Sequence, residues 1–197
     1  MVPKEYYGRL FTKEQLPVNY HPEALTLESM IKVDKQLRCK RCYSRIEEDW
    51  QLPGGQYYCR ACIVFGRNQE GKELYYFPSK TSEIEFPVLK WFGELTPYQA
   101  KVSEKLLRTY QKQKDSLVHA VTGAGKTEMI YNIVAYVLEN KGHVAIASPR
   151  VDVCRELFLR MKRDFTCSIS LLHAESEPYD GSPLVIATTH QLLKFYQ

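Results

Sequence analysis

Hydrophobic and polar positions along this 197-residue chain change rhythm near residue 95. Beyond that point, apolar residues recur at helical spacing and, in alternation, as short continuous runs. Residues 96–113 read as a helix with Val102, Leu106 and Tyr110 on one face. Residues 116–121 read as a strand, and 127–140 as an apolar, therefore buried, helix closed by Gly142. A strand at 143–148, an amphipathic helix at 151–164, strands at 167–172 and 184–189, and a helix starting at 190–196 complete the pattern. Strands alternating with helices imply an α/β fold, a parallel sheet covered on both faces.

The first part of the chain lacks that period. Residues 1–36 form a polar lead-in punctuated by Pro3, Pro17 and Pro22, with a short helix expected over 24–33. Residues 37–77 carry cysteines on either side of the turn Pro53-Gly54-Gly55, with β-leaning runs at Gln56-Tyr57-Tyr58 and Leu74-Tyr75-Tyr76-Phe77. They read as a small hairpin-rich domain. Residues 78–94, with Pro78 and Pro87, read as a connector to the domain at 95–197.

No apolar run approaches the roughly 18 residues of a membrane span, and the first residues do not resemble a signal peptide. A cytoplasmic protein without a transmembrane segment is expected. In that setting six cysteines point to metal or reduced thiols before disulfides. The net charge of +4 permits a polyanionic partner without demanding one. Between Lys32 and Lys72 nine basic residues face five acidic ones, and a zinc ion on four thiolates would halve that excess of four.

The spacing Cys39-x2-Cys42-x16-Cys59-x2-Cys62 suits a structural zinc site. Each pair presents two sulfurs, and two pairs complete a tetrahedron with no position left for catalysis. A unit of about forty residues buries too little surface to fold alone, so the metal supplies folding free energy. Arg41 and Arg60 beside the ligands are candidates for nucleic-acid contact, and a solvated charged face explains them equally well. Tyr57 and Tyr58 read as the small core of the ribbon.

The second constellation is Ala120-Val121-Thr122-Gly123-Ala124-Gly125-Lys126-Thr127, between an expected strand and an expected helix. Its glycines let backbone N–H groups turn toward phosphate oxygens, and the helix start adds a favourable partial charge. Lys126 would reach the β- and γ-phosphates of ATP, and the Thr127 hydroxyl would hold Mg²⁺. Ala120 replaces the first glycine of the general phosphate-loop pattern, a departure in which the stretch resembles superfamily-2 helicases. Thr96-Pro97-Tyr98-Gln99 fits a capping box, with Gln99 folding back on Thr96. It also resembles the glutamine motif through which such helicases contact adenine.

Ser148-Pro149-Arg150 and Thr188-Thr189-His190 each follow a strand and open a helix, so Arg150, Thr188, Thr189 and His190 are candidates for nucleic-acid phosphate contact. They resemble the strand-end motifs of superfamily-2 motors. Cys154 and Cys167 read as core residues, and His119, His143 and His173 as structural ones.

Taken with Gly8-Arg9-Leu10, Tyr57-Tyr58-Cys59-Arg60, Ala147-Ser148-Pro149-Arg150 and Ala187-Thr188-Thr189-His190-Gln191-Leu192-Leu193, these motifs make the chain resemble the ComFA family. That family comprises helicase-like competence proteins of transformable Gram-positive bacteria. The resemblance implies a zinc-ribbon-like domain followed by a RecA-like lobe. It further implies an ATPase that draws transforming single-stranded DNA inward at the inner membrane face with other competence proteins. No acidic segment follows the strand at 184–189, and such motors bind Mg²⁺ and position water there. The lobe is therefore expected to be incomplete, an N-terminal fragment that is inactive alone. Two other readings stay open: a zinc-stabilised DNA-binding or docking module that binds nucleotide without turnover, and a fragment of a replication-restart-type helicase.

Overall fold

The computed structural model describes residues 2–17, 22–80 and 84–196, which divide into two compact units. Unit one comprises Met1–Lys80 and Thr189–Gln197; unit two comprises Thr81–Thr188.

Unit one is built from antiparallel ribbons. Strands β1 (Leu10–Thr12) and β2 (Leu25–Glu28) flank β5 (Glu73–Tyr76), with Leu10 and Leu25 both opposite Tyr76. The helix expected over 24–33 is instead β2 followed by β3 (Met30–Val33). Leu25-Thr26-Leu27-Glu28 alternates with period two, and ladder pairing with a segment far along the chain decides the outcome. β3 turns back into β4 (Gln36–Cys39) through Asp34 and Lys35, whose φ angles are 48° and 64°. Two consecutive left-handed residues give the tight turn whose twist matches a hairpin. One core gathers Val2, Phe11, Leu16, Tyr75 and Phe77; a second gathers Met30, Ile46 and the cysteines, with Trp50, Tyr57, Phe65 and Leu193 against it.

Unit two contains α1 (Pro97–Gln111), α2 (Lys126–Met129), α3 (Tyr131–Glu139), β6 (Val144–Ser148), α4 (Val151–Asp164), β7 (Ile169–Leu172) and β8 (Leu184–Thr188). The three strands form a parallel sheet in the order β6-β8-β7. Leu184, Val185, Ile186 and Ala187 are all buried. Successive strand residues point to opposite faces, so both faces of this central strand are covered, as the alternating pattern predicts. The expected buried helix at 127–140 is interrupted by a turn at Ile130. Its end is closed by Lys141 in the left-handed region (φ 61°), with the N–H of Lys141 donating to Leu138 and that of Gly142 to Val137. Gly142 is required for close approach instead, because a Cβ there would lie 2.7 Å from Val137 Cγ1.

Residues 116–121, expected as a strand, are irregular, and Leu117 is 95% exposed. A strand persists only with a neighbouring backbone to pair with, and among the described residues this segment has no ladder partner. The stretch after β8 is a 3-10 helix, Thr189–Lys194, within unit one.

Candidate metal centre and nucleotide loop

In unit one, β4 delivers Cys39, and the backbone turns so that the Tyr43 N–H donates to the Cys39 carbonyl at 2.8 Å. Tyr43 takes φ 59° to make that turn. The second pair is fixed by the Cys59 N–H on the Asn68 carbonyl and by the 3-10 helix Ile63–Phe65. The four Sγ atoms lie within 4.8 Å of one another, with Cys39–Cys62 at 3.7 Å and Cys42–Cys59 at 3.5 Å. A tetrahedral zinc with Zn–S bonds of ~2.3 Å needs sulfurs about 3.8 Å apart, so the donor set fits that ion. As free thiols the four hold protons unequally. Hydrogen bonds from Cys39, Cys59 and Cys62 draw Cys42 below the thiol range, while Cys59 and Cys62 are pushed up, with Cys39 the leading cause.

Asn68, 1% exposed, donates through Nδ2 to Cys39 Sγ at 3.1 Å and to the Ser29 carbonyl at 2.7 Å. No cysteine spacing points to it. The flanking arginines differ. Arg60 is exposed, pairs with Asp49 at 3.2 Å and donates to the Tyr58 hydroxyl at 3.0 Å. Arg41 is 6% exposed and donates through Nη1 to the Gly66 carbonyl at 2.7 Å, whereas its buried Nε and Nη2 have no partner. The sequence suggests a surface position for Arg41; the structure buries it, tied to the Gly66 carbonyl 25 positions further along the chain.

In unit two, Thr96 and Gln99 form the expected capping box at the start of α1. Gln99 Oε1 accepts from the Thr96 N–H and hydroxyl, while Nε2 donates to the Ala124 carbonyl at 2.9 Å. Gln99 is thus brought to the glycine loop. Gly123 and Gly125 take φ angles of 81° and 71°, and a Cβ on Gly125 would collide with the Gln99 amide. Lys126 Nζ folds back to donate to the carbonyls of Ala120 and Val121, at 3.1 and 2.8 Å. Glu128, just past Thr127, pairs with Arg160 at 3.3 Å, which no local motif signals. A lysine above a glycine loop that leads into a helix, with the first helical N–H groups lacking intrahelical acceptors, suits a bound triphosphate.

At the other candidate positions, Ser148 and Thr188 are direct neighbours in the parallel ladder. Arg150 caps α4 and pairs with Asp152 at 2.5 Å on the surface. Thr188 ends β8, whereas exposed Thr189 and His190 open the 3-10 helix of unit one.

Residues 92–196, more than half of the chain, match the ResIII family, described as type III restriction enzyme, res subunit. The chain belongs to this family. The ResIII region takes in α1, the glycine loop and all three parallel strands. The resemblance to the ComFA family also holds along nearly the whole chain. The competence protein ComFA of Streptococcus pneumoniae (strain ATCC BAA-255 / R6) is 56% identical over 196 residues, which is 98% of this chain and 44% of the relative. ComFA of Bacillus subtilis (strain 168) is 35% identical over 193 residues, 94% of this chain and 42% of the relative. The chain thus spans less than half the length of either. No solved structure matches it. Among the described residues no helix is long and apolar enough to cross a membrane.

Proposed function

We propose that this ResIII-family chain supplies the zinc-stabilised unit and the nucleotide-binding lobe of an ATP-driven motor that moves single-stranded DNA during natural transformation. One observation carries the reading: Lys126 and Gln99 converge on the same glycine loop, in a chain 56% identical to a competence protein. In this reading 37–77 is a zinc ribbon and 95–197 part of a RecA-like lobe. Cys39, Cys42, Cys59 and Cys62 hold zinc, whose role is to fold the unit. Ala120 to Thr127 cradle the phosphates of Mg-ATP, Lys126 neutralises them, Thr127 presents its hydroxyl to Mg²⁺, and Gln99 holds the loop next to the adenine. Mg²⁺ neutralises charge on the phosphates during transfer. Arg60, Arg150, Thr188, Thr189 and His190 contact the sugar–phosphate backbone, and other competence proteins at the inner membrane face are its partners.

A second reading, a zinc-stabilised module that binds nucleotide and DNA without turnover, is favoured by the strand ends. Among the described residues β6, β7 and β8 end in Ser148, Leu172 and Thr188, none of them acidic. A steady-state ATPase assay on the chain extended over the full length of its relatives separates the two. DNA-stimulated hydrolysis that Lys126→Ala abolishes supports the motor; nucleotide binding without hydrolysis in that longer chain supports the module.

A further inference from the structure

Unit one holds a cavity of about 340 Å³ beside the cysteine cluster, lined by Lys40, Arg41, Tyr43, Leu193, Phe195 and Tyr196 among others. Its volume falls in the ~300–1,000 Å³ range of small-ligand sites and is far too small for a duplex. Among the described lining residues there is no carboxylate. The Lys40 ammonium lies 5.7 Å from the Tyr196 ring centre, and the Tyr196 ring is braced by Tyr76 at 4.6 Å. Tyr43 keeps 54% of its surface exposed, with Arg38 over its ring at 5.0 Å. Arg41, 6% exposed, lies in the cavity wall with its guanidinium closed off: Nη1 donates to the Gly66 carbonyl, and Nε and Nη2 are buried. Its charge therefore acts on the cavity through the wall and not as an open donor.

Cations beside exposed aromatic rings are the chemistry of single-stranded nucleic-acid sites, where rings stack on bases and cations meet phosphates. We propose that this cavity holds one nucleotide of a single-stranded DNA, its base against Tyr43 and Tyr196 and its phosphate at Lys40, with the Arg41 charge behind it. Leu193, Phe195 and Tyr196 of the cavity wall lie at and just past the end of the 3-10 helix that Thr189 opens. The site therefore draws on both the first cysteine pair and the stretch after β8. This inference rests on the single-stranded-DNA reading above.

The test uses the whole zinc-loaded chain and a fluorescent thymidine oligonucleotide of about ten nucleotides, within the ~4–16 that one small domain covers. Ultraviolet cross-linking is expected to attach the oligonucleotide to the Tyr43 or the Tyr196 peptide. Tyr43→Ala combined with Tyr196→Ala should weaken binding roughly ten- to hundredfold, the loss that follows when a base loses its stacking ring. Lys40→Gln, a milder change, should flatten the log–log salt slope by about 0.7, one phosphate contact on a single strand. Tyr43→Phe keeps the ring and should bind like the original chain. Zinc content identifies variants that retain the fold, and Lys40→Gln carries the test if the double variant does not. Undiminished binding and an unchanged salt slope in zinc-loaded variants, or cross-links confined to unit two, overturn the cavity assignment and leave the DNA reading standing. Absence of any binding by the original chain overturns both.

Discussion

Gln99 closes the start of its own helix with one end of its amide and holds the Ala124 carbonyl of the glycine loop with the other, at 2.9 Å. Capping and contact with the loop are thus not competitors: a single side chain couples helix α1 to the loop. The acceptor oxygen serves Thr96 and the donor nitrogen serves the loop.

That division makes the two roles separable. Gln99→Glu keeps the acceptor for Thr96 and loses the donor to Ala124, and it sets a negative charge by the phosphate cradle. Thermal stability should change by no more than about 0.5 kcal/mol, while Mg-nucleotide affinity falls markedly. Thr96→Ala should do the reverse, costing about 1 kcal/mol of stability as a lost helix cap with a smaller effect on nucleotide. Calorimetric unfolding and titration with a fluorescent nucleotide on both variants decide the matter; equal nucleotide affinities would show that Gln99 only caps.

The Asn68 amide on Cys39 predicts a dependence of metal affinity on a residue outside the ligand set. An N–H donated to a ligating sulfur stabilises its thiolate and fixes its direction. Asn68→Leu should weaken zinc binding about 10- to 100-fold in competition with a chelator, the usual effect of losing such a partner. Cys39→Ser with Cys59→Ser should abolish stoichiometric zinc altogether and unfold unit one. Zinc retained at full occupancy in that double variant would refute the site.

How much of this was legible in the sequence depends on the distance over which each feature is decided. The capping box at Thr96 and the helix 151–164 are local and were readable. The two cysteine pairs declare themselves by spacing, and their sulfurs do converge. Asn68 was invisible, because it reaches Cys39 across 29 positions through tertiary packing. The strands at 25–33 look helical in the sequence for the same reason: their partners are β5 and β4, and only pairing distinguishes them from a short helix. Residues 116–121 failed in the opposite sense. Their composition suits a strand, but a strand is a property of two backbones, and β6 leaves Ala145 and Ala147 exposed at the edge of the sheet.

In unit two the Tyr131 hydroxyl donates to the buried Asp164 at 2.6 Å, and Arg163 grips the same carboxylate at 2.7 and 2.9 Å. Arg163 first, then Tyr131, hold the Asp164 carboxyl below its ordinary 3.8, against the opposing effect of burial. The unfolded chain therefore binds this proton more readily than the folded one. The stability contributed is fully present above 3.8 and is lost as pH falls through the lower folded value. Tyr131→Phe should cost about 1–3 kcal/mol near neutral pH, the penalty for a buried acceptor deprived of its donor. It should also lessen the additional loss on acidification, since the folded carboxyl then sits closer to its unfolded value. Trp91, whose ring centre lies 5.5 Å from that of Tyr131, reports the transition by fluorescence in a Trp50→Phe background. An acid-induced loss identical in both proteins would remove Asp164 from the account.

The last prediction concerns what the glycine loop does with nucleotide. Lys126 now spends its charge on the carbonyls of Ala120 and Val121, the groups a bound phosphate would displace. Mg-nucleotide binding should therefore be measurable, and Lys126→Ala should abolish it without loss of zinc. Hydrolysis is a different matter. It needs a carboxylate that orients water at the phosphate, and the described parallel strands end in Ser148, Leu172 and Thr188. Glu128 is tied to Arg160, and the exposed Glu175 and Glu177 lie in the loop after β7. Phosphoryl transfer is almost wholly positioning and charge stabilisation, so this 197-residue chain should bind Mg-ATP and turn it over no faster than background, with or without single-stranded DNA. The check is phosphate release under saturating nucleotide, with the Lys126→Ala chain as the blank. DNA-stimulated release that disappears in that variant would mean that a carboxylate already present, Glu128 first among them, does the work of the acid not found at the strand ends.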